Sequence, residues 1–179
     1  MKKYKMLIFD MDGTILYTLE DLKNTTNYAL SEHGFPERTL EEVRQFVGNG
    51  IHKLIERAVP AGTSDADIEA VFTTFEIYYK DHCMDTTRPY DGINDLLTKL
   101  RAQGYMTAVV SNKVDFAVQD LVKDFFVGQF DVAIGEREGV RKKPAPDSVY
   151  EVLKEFDLKK DEVIYIGDSD AVSYTHLTL

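Results

Sequence analysis

Residues 4–14, Tyr-Lys-Met-Leu-Ile-Phe-Asp-Met-Asp-Gly-Thr, are the stretch from which the fold of this chain can be predicted. Residues 4–9 form a short, nearly uninterrupted apolar run, which is typical of a parallel strand covered by helices on both faces. Two carboxylates, Asp10 and Asp12, follow where that strand should end. Buried acids are costly unless a cation or hydrogen bonds compensate them, so the pair indicates a functional site. The alternative is an acidic turn in which Gly13 adopts a positive φ.

Three later apolar runs resemble the first one, at residues 106–110, 130–134 and 163–166. Apolar residues at helical spacing predict helices over 93–103, 115–126 and 147–156. Strands that alternate with helices predict an α/β fold, a doubly wound parallel sheet with right-handed crossovers. In such sheets, ligands bind beyond the carboxyl ends of the strands. The polar residues that follow each strand are therefore the candidates for a site.

The segment between the first two strands is too long for a single crossover helix. It contains three helix-start patterns, at Thr18, Thr39 and Ser64, each followed by acids in the first turn. We therefore predict that residues 17–83 form a helical insert. Residues 1–16 and 84–171 would then make up a discontinuous α/β core.

Composition excludes several classes of protein. The chain has 179 residues, with 21 Lys+Arg against 31 Asp+Glu, which gives a formal net charge of −10. This balance argues against nucleic-acid or anionic-membrane partners, so an anionic ligand would need local cations or a metal ion. The single cysteine, Cys83, excludes a disulfide framework and fits a reducing, cytoplasmic location. Apolar runs stay well below the ~20 residues of a membrane span.

Polar residues follow the other strands as well. Ser111 and Asn112 come after the second run, Lys143 lies in a basic stretch at 141–147, and Asp168 follows the fourth run. Taken singly, these are also compatible with an ordinary turn or with a basic loop before a helix. Taken together, three carboxylates suit Mg²⁺, a hard cation that prefers oxygen ligands. A lysine and a hydroxyl nearby suit the oxygens of a phosphoryl group.

These stretches resemble the four sequence motifs of the haloacid dehalogenase (HAD) superfamily. The residues that carry the resemblance are Asp10-Met11-Asp12-Gly13-Thr14, Ser111-Asn112, Lys143-Pro144 and Gly167-Asp168-Ser169. The insert resembles the helical type-1 cap of that superfamily, and residues 46–50 and 89–92 are similar to parts of phosphoglycolate phosphatases. The resemblance implies a HAD-like Rossmannoid core with an inserted cap domain.

The resemblance also implies roles for individual residues. Asp10 would attack phosphorus to form an aspartyl-phosphate, and Asp12 would serve as general acid and then general base. Lys143 would neutralise the phosphoryl oxygens. Mg²⁺ would be held by the Asp10 carboxylate, the Asp12 carbonyl and Asp168. Substrate contacts would come from Gly13, Thr14, Ser111, Asn112, Gly48 and Asn49. For the last two residues, a plain turn between helices is an equally good interpretation.

The resemblance implies a phosphatase that acts on a small phosphorylated metabolite, a phosphate monoester of the phosphoglycolate type. Superfamily members that cleave carbon–halogen or phosphonate bonds lack an acid at the position of Asp12. The alternatives are a β-phosphoglucomutase-like phosphomutase and a pyrophosphatase. A non-catalytic phosphate-binding module belongs to a different class, which the complete set of catalytic residue types disfavours.

The last residues depart from the family pattern. Val172 stands where a second acid of the fourth motif is expected, and residues 172–179 correspond to the translation of a transposon library adapter. We expect native sequence to end at about Asp170 and the remainder to be read-through without helical pattern. Loss of the second acid and of a covering strand predicts weak Mg²⁺ binding and low stability.

Overall fold

Residues 3–178 are described in a computed structural model of the chain, and they form two compact units. The first, which we call the α/β unit, comprises the chain up to Tyr17 and from Pro89 onward. The second, which we call the helical unit, spans Thr18–Arg88, against the 17–83 predicted for the insert.

The four strands and three helices predicted for the α/β unit occur in the expected order, together with two short strands and a final helix that the apolar pattern does not predict. The strands are β1 (Met6–Phe9), β2 (Leu16–Tyr17), β3 (Arg88–Pro89), β4 (Met106–Val114), β5 (Val132–Glu136) and β6 (Val163–Ile166). The helices are α1 (Leu19–Glu32), α2 (Leu40–Phe46), α3 (Ile51–Ala58), α4 (Asp65–His82), α5 (Ile93–Ala102), α6 (Asp115–Phe125), α7 (Asp147–Glu155) and α8 (Asp170–Thr178). Among the described residues, no helix combines the length and the apolar character that crossing a membrane requires.

The central sheet has four strands in the order β5-β4-β1-β6, and every neighbouring pair is parallel. Phe9, the last residue of β1, pairs with Val109 on one side and with Ile166 on the other. The carboxyl ends of β1, β4 and β6 therefore meet at the same edge of the sheet. The predicted α/β fold class with a parallel sheet is confirmed.

The core of the α/β unit explains why the apolar runs are continuous. Met6, Ile8 and Val110 lie at alternate positions on one face of the sheet, where they pack against the helices. Phe9 and Val109, at the intervening positions, are buried as well. Burial on both faces of the sheet favours apolar residues at consecutive positions.

Three strands differ from their predicted limits, and two of them, β1 and β5, begin two residues later than predicted. The polar residues Ser111, Asn112 and Lys113 are buried and extend β4 to Val114, which pairs with Glu136 beyond an irregularity in the register. Because of that later pairing, β5 ends at Glu136 and not at the predicted residue 134.

The helical unit has its own core, in which Leu30, Ile55, Val71 and Phe75 are fully buried. The helix start predicted at Thr39 is confirmed as a capping box: the Glu42 N–H donates to Thr39 Oγ1 at 3.2 Å, and the Thr39 N–H donates to Glu42 Oε2 at 2.7 Å. Ser64 also caps its helix, since its side chain accepts a hydrogen bond from the Asp67 N–H.

The helix start predicted at Thr18 is confirmed, because α1 begins at Leu19, but the side chain of Thr18 does not cap the helix. Its backbone lies at φ −114° and ψ −2°, and its side chain makes no capping hydrogen bond. A side-chain cap normally requires a β-region backbone at that residue.

The expectation that residues 172–179 have no helical pattern is wrong, because α8 runs through most of them. Ala171 and Val172 are buried, and Val172 belongs to the core of the α/β unit. Thr175 Oγ1 donates to the Ala171 carbonyl at 2.7 Å and contacts the Pro144 carbonyl at 3.3 Å. Packing of these residues supports a helix that the apolar pattern alone does not indicate. Leu179 lies outside the described residues.

Candidate active site

The turn after β1 places two acids at the carboxyl edge of the sheet. The N–H groups of Thr14, Ile15 and Leu16 all donate to the Met11 carbonyl, at 3.2, 3.0 and 3.0 Å. This tight turn fixes the backbone around Asp10 and Asp12. The Met11 N–H also donates to Asp10 Oδ1 at 2.8 Å, which orients the carboxylate.

Asp10 forms a buried ion pair with Lys143. Lys143 Nζ lies 2.6 Å from Asp10 Oδ1, and the two side chains are only 3% and 8% exposed. Burial raises the pKa of the Asp10 carboxyl, the charge and hydrogen bond of Lys143 lower it in part, and the nearby charge of Asp12 raises it. The lysine therefore supplies the positive charge that an ionised carboxylate needs at this depth. The same Nζ donates to the Val110 carbonyl at 3.1 Å.

Asn112 holds the backbone of Lys143 in place. Asn112 Nδ2 donates to the Lys143 carbonyl at 3.0 Å, and the Lys143 N–H donates to Asn112 Oδ1 at 2.8 Å. The side chain of Asn112 thus links the end of β4 to the loop before α7. Ser111 is buried beside it, and its Oγ accepts the Lys113 N–H at 3.1 Å. The substrate contacts predicted for Ser111 and for the backbone of Asn112 stay predictions.

Asp168 is brought to the same edge by β6. Thr14 Oγ1 donates to Asp168 Oδ1 at 3.1 Å, so this hydroxyl orients the carboxylate. Gly13 has φ +79°, and a Cβ added there would overlap the Asp168 carboxylate. A Cβ added at Gly167 would overlap the Val172 side chain and would lie 3.1 Å from Asp10 Cβ. The structure therefore assembles Asp10, Asp12, Lys143 and Asp168, as predicted from their positions after the strands.

Replacing Gly13 with alanine should show how closely Asp168 is packed. The positive φ alone should cost about 1–2 kcal/mol of unfolding free energy, and displacement of Asp168 should add about 1–3 kcal/mol. Gly139→Ala is the matched control, since Gly139 has the same φ of +79° with no atom within 4 Å of an added Cβ. Urea unfolding of both variants measures the difference. Equal losses would contradict the close approach of Gly13 to Asp168.

Sequence reasoning missed Lys113. Its side chain is only 1% exposed, and its Nζ lies 3.0 Å from Asp12 Oδ1. A signal was available: Lys113 stands two residues after Ser111, and side chains two apart in a strand point to the same face. The apolar run predicts a strand that ends at residue 110, so the strand periodicity does not extend to Lys113.

Tyr165 is a second residue that the motifs do not include. Its hydroxyl donates to the Val110 carbonyl at 3.3 Å, the same oxygen that accepts from Lys143. Burial, followed by the negative charge of Asp10, raises the pKa of the Tyr165 hydroxyl. Tyr165 therefore stays neutral and helps to enclose the ion pair.

The donor set suits a hard cation, with one change from expectation. Within residues 3–178, no three His, Cys, Asp or Glu side chains are grouped so as to hold a metal ion. The Asp12 carboxylate bonds to Lys113 instead, so the expected cluster of three carboxylates is not found. The carboxylates of Asp10 and Asp168 and the Asp12 carbonyl remain, all of them oxygen donors of the kind that Mg²⁺ prefers.

An unpartnered hydroxyl lies at the same edge. Ser169 Oγ, next to Asp168, is buried and has no hydrogen-bond partner in the described part of the chain. Buried polar atoms normally have one, so this oxygen fits a site that binds a further polar group.

Gly48 and Asn49 lie in the helical unit, in the loop between α2 and α3. Arg57 holds that loop: its Nη1 donates to the Phe46 carbonyl at 2.7 Å, and its Nη2 donates to Asn49 Oδ1 at 2.9 Å. Gly48 has a positive φ of 108°. The loop is therefore ordered within its own unit, and its contact with substrate stays a prediction.

Comparison with known proteins identifies a family and several relatives. The family model described as haloacid dehalogenase-like hydrolase matches residues 7–171. A phosphoglycolate phosphatase of Mannheimia succiniciproducens is 31% identical over 93% of this chain and 78% of its own length. An N-acetylmuramic acid 6-phosphate phosphatase of Pseudomonas aeruginosa is 29% identical over 93% of this chain and 74% of its own length.

Two crystal structures of predicted phosphoglycolate phosphatases have the same fold. The one from Lactobacillus delbrueckii subsp. bulgaricus has a TM-score of 0.93 and 38% identity, with 98% of this chain and 83% of that chain covered. The one from Haemophilus somnus has a TM-score of 0.92 and 28% identity, with 99% of this chain and 83% of that chain covered.

Proposed function

Since this chain belongs to the haloacid dehalogenase-like hydrolases, and its relatives are phosphoric monoester hydrolases, we propose that it is a Mg²⁺-dependent phosphatase. Its substrate would be a small phosphate monoester of the phosphoglycolate type. The reaction would pass through an aspartyl-phosphate on Asp10.

One observation carries this proposal. Asp10 is a buried carboxylate with a lysine Nζ at 2.6 Å, and the acid two residues later is partly exposed at 29%. A nucleophile fixed beside a cation, with a proton donor within the same turn, is the arrangement that two-step phosphoryl transfer needs.

The side chains divide the chemistry between them. An Asp10 oxygen would form a bond to phosphorus while the ester P–O bond breaks, and Asp12 would give its proton to the departing alcohol oxygen. In the second step, Asp12 would take a proton from the attacking water, and the Asp10–phosphorus bond would break to release phosphate. Lys143 would neutralise charge on the phosphoryl oxygens throughout.

Asp10, Asp168 and the Asp12 carbonyl would hold the cation. When bound, Mg²⁺ would neutralise negative charge on the phosphoryl group. Thr14 and Gly13 would contribute indirectly, because they fix the position of Asp168.

A panel of phosphate esters with excess Mg²⁺ tests the proposal. We expect phosphate release from 2-phosphoglycolate or from an amino-sugar 6-phosphate, and its loss in EDTA. Mg²⁺ is kept in excess because Val172 occupies the position expected for the second acid. Glucose 1-phosphate isomerised without phosphate release would indicate a mutase instead. Release from pyrophosphate alone would indicate a pyrophosphatase. No turnover of any of these compounds would contradict the proposal.

We further propose that the helical unit is a type-1 cap whose loop at Gly48 and Asn49 contributes to substrate choice. Arg57 Nη2 donates to Asn49 Oδ1, so the side chain that we propose for substrate choice is held by a defined partner. The same panel with Asn49→Ala tests this role: the ranking of the esters should change. An unchanged ranking would leave the loop as a plain turn between helices.

A further inference from the structure

We propose that Lys113 is a positioning residue for Asp12, holding its carboxylate in place for proton transfer to the leaving group. This inference rests on the proposed phosphatase activity and assigns a role to a residue outside the four motifs. It stands on the contact between Lys113 Nζ and Asp12 Oδ1 at 3.0 Å.

The burial of the two partners differs sharply. The Lys113 side chain is 1% exposed, whereas Asp12 is 29% exposed. The lysine therefore reaches Asp12 from inside the protein, and the carboxylate keeps a face toward solvent. One oxygen is anchored from the interior while the carboxyl group as a whole stays accessible to a substrate.

The backbone of Lys113 is fixed at the same time. Its N–H donates to Ser111 Oγ at 3.1 Å, and the residue lies inside β4. Because the backbone of Lys113 is fixed and its side chain is buried, few rotamers are accessible to it. Its ammonium group can therefore hold the Asp12 carboxylate in one position. The Asp12 carboxylate forms its hydrogen bond with this fixed ammonium group.

The local charges also favour a second lysine. Asp10 and Asp12 lie in the same turn at this edge of the sheet, and Lys143 is already paired with Asp10. A buried ammonium group remains stable only with a partner. Lys113 contacts Asp12. Each lysine therefore has its own partner: Lys143 pairs with the proposed nucleophile, and Lys113 pairs with the proposed proton donor.

A comparison of two leaving groups distinguishes positioning of the general acid Asp12 from a purely structural role of Lys113. An alkyl ester needs its departing oxygen protonated, while an aryl ester such as p-nitrophenyl phosphate releases a stable anion and needs little help. The quotient kcat/KM reports the steps up to release of the alcohol, and kcat also includes the second step, in which Asp12 acts as base.

The test compares Lys113→Met with wild type on one alkyl and one aryl ester. We expect kcat/KM for the alkyl ester to fall by about 10- to 100-fold and that for the aryl ester by less than about 3-fold. We also expect kcat to fall for both esters. Lys113→Arg, which keeps the charge, should recover most of the alkyl activity. Lys123→Met, at an exposed position on α6, is the matched control and should change neither ester.

A second comparison keeps the result interpretable if the variant folds poorly. In an Asp12→Asn background, Lys113→Met should change kcat/KM for the alkyl ester by less than about 3-fold, because the group it positions is gone. Lys113→Gln is measured in parallel. Equal losses of kcat/KM on both esters, or a full further loss of kcat/KM in the Asp12→Asn background, would overturn the inference while leaving the phosphatase proposal intact. A wild-type protein without phosphatase activity would overturn the proposed function itself.

Discussion

Replacing Asp10 with asparagine is expected to lower kcat for a phosphate monoester by at least about 1000-fold, because the amide cannot form the covalent intermediate. The variant should remain folded. Asn has nearly the same shape, and its side-chain oxygen can still accept the Met11 N–H that binds Asp10 Oδ1 at 2.8 Å. Steady-state phosphate release, with thermal unfolding alongside, measures both effects.

The control for Asp10→Asn is an acid of the same unit that takes no part in the site. Asp124 lies exposed on α6, so Asp124→Asn should leave kcat unchanged. An Asp10→Asn protein that is folded and retains most of its turnover would exclude Asp10 as the nucleophile.

Replacing Lys143 with methionine should affect stability and turnover together. The side chain that remains is apolar and of similar length, and the Asp10 carboxylate loses its partner at 2.6 Å while staying buried. Removing one member of a buried ion pair typically costs about 3–5 kcal/mol of unfolding free energy. Turnover should fall by at least about 100-fold, because the phosphoryl oxygens also lose their cation. Urea unfolding and phosphate release measure the two effects.

The neighbouring residue provides a matched control. Lys142 pairs with Glu136 at 3.0 Å, but both side chains are well exposed, at 39% and 38%. Lys142→Met should therefore cost only about 0–1 kcal/mol. The double variant Asp10→Asn/Lys143→Met should be more stable than Lys143→Met alone, since it no longer buries an unpaired carboxylate. A Lys143→Met variant as stable as Lys142→Met would contradict the buried ion pair.

Much of the fold could be predicted because its signals are local. Continuous apolar runs identify buried parallel strands, and an acid that follows such a run must lie at the edge of the sheet. That reasoning placed Asp10, Asp12 and Asp168 together. The sequence also predicts Lys143 at this site, as a partner for phosphoryl oxygens, but it does not predict the ion pair with Asp10, which compensates a buried charge.

The remaining features depend on contacts between residues that are far apart in the sequence, so no short stretch of sequence contains both partners. The Lys113–Asp12 pair joins residues 101 positions apart, and it exists because β4 stays extended past its apolar run. The helix α8 depends on burial of Ala171 and Val172 against the sheet. Thr18 matches the pattern of a cap, but its backbone angles prevent the capping hydrogen bond.

Chemical trapping of Asp10 during turnover tests the covalent mechanism most directly. The protein is quenched while it hydrolyses a phosphate monoester, treated with hydroxylamine, and its peptides are mapped by mass spectrometry. Hydroxylamine converts an acyl phosphate to a hydroxamate, so we expect the label on Asp10, dependent on substrate and lacking in Asp10→Asn. Turnover with the label on another residue, or with no labelled residue in complete peptide coverage, would contradict the assignment of Asp10 as nucleophile.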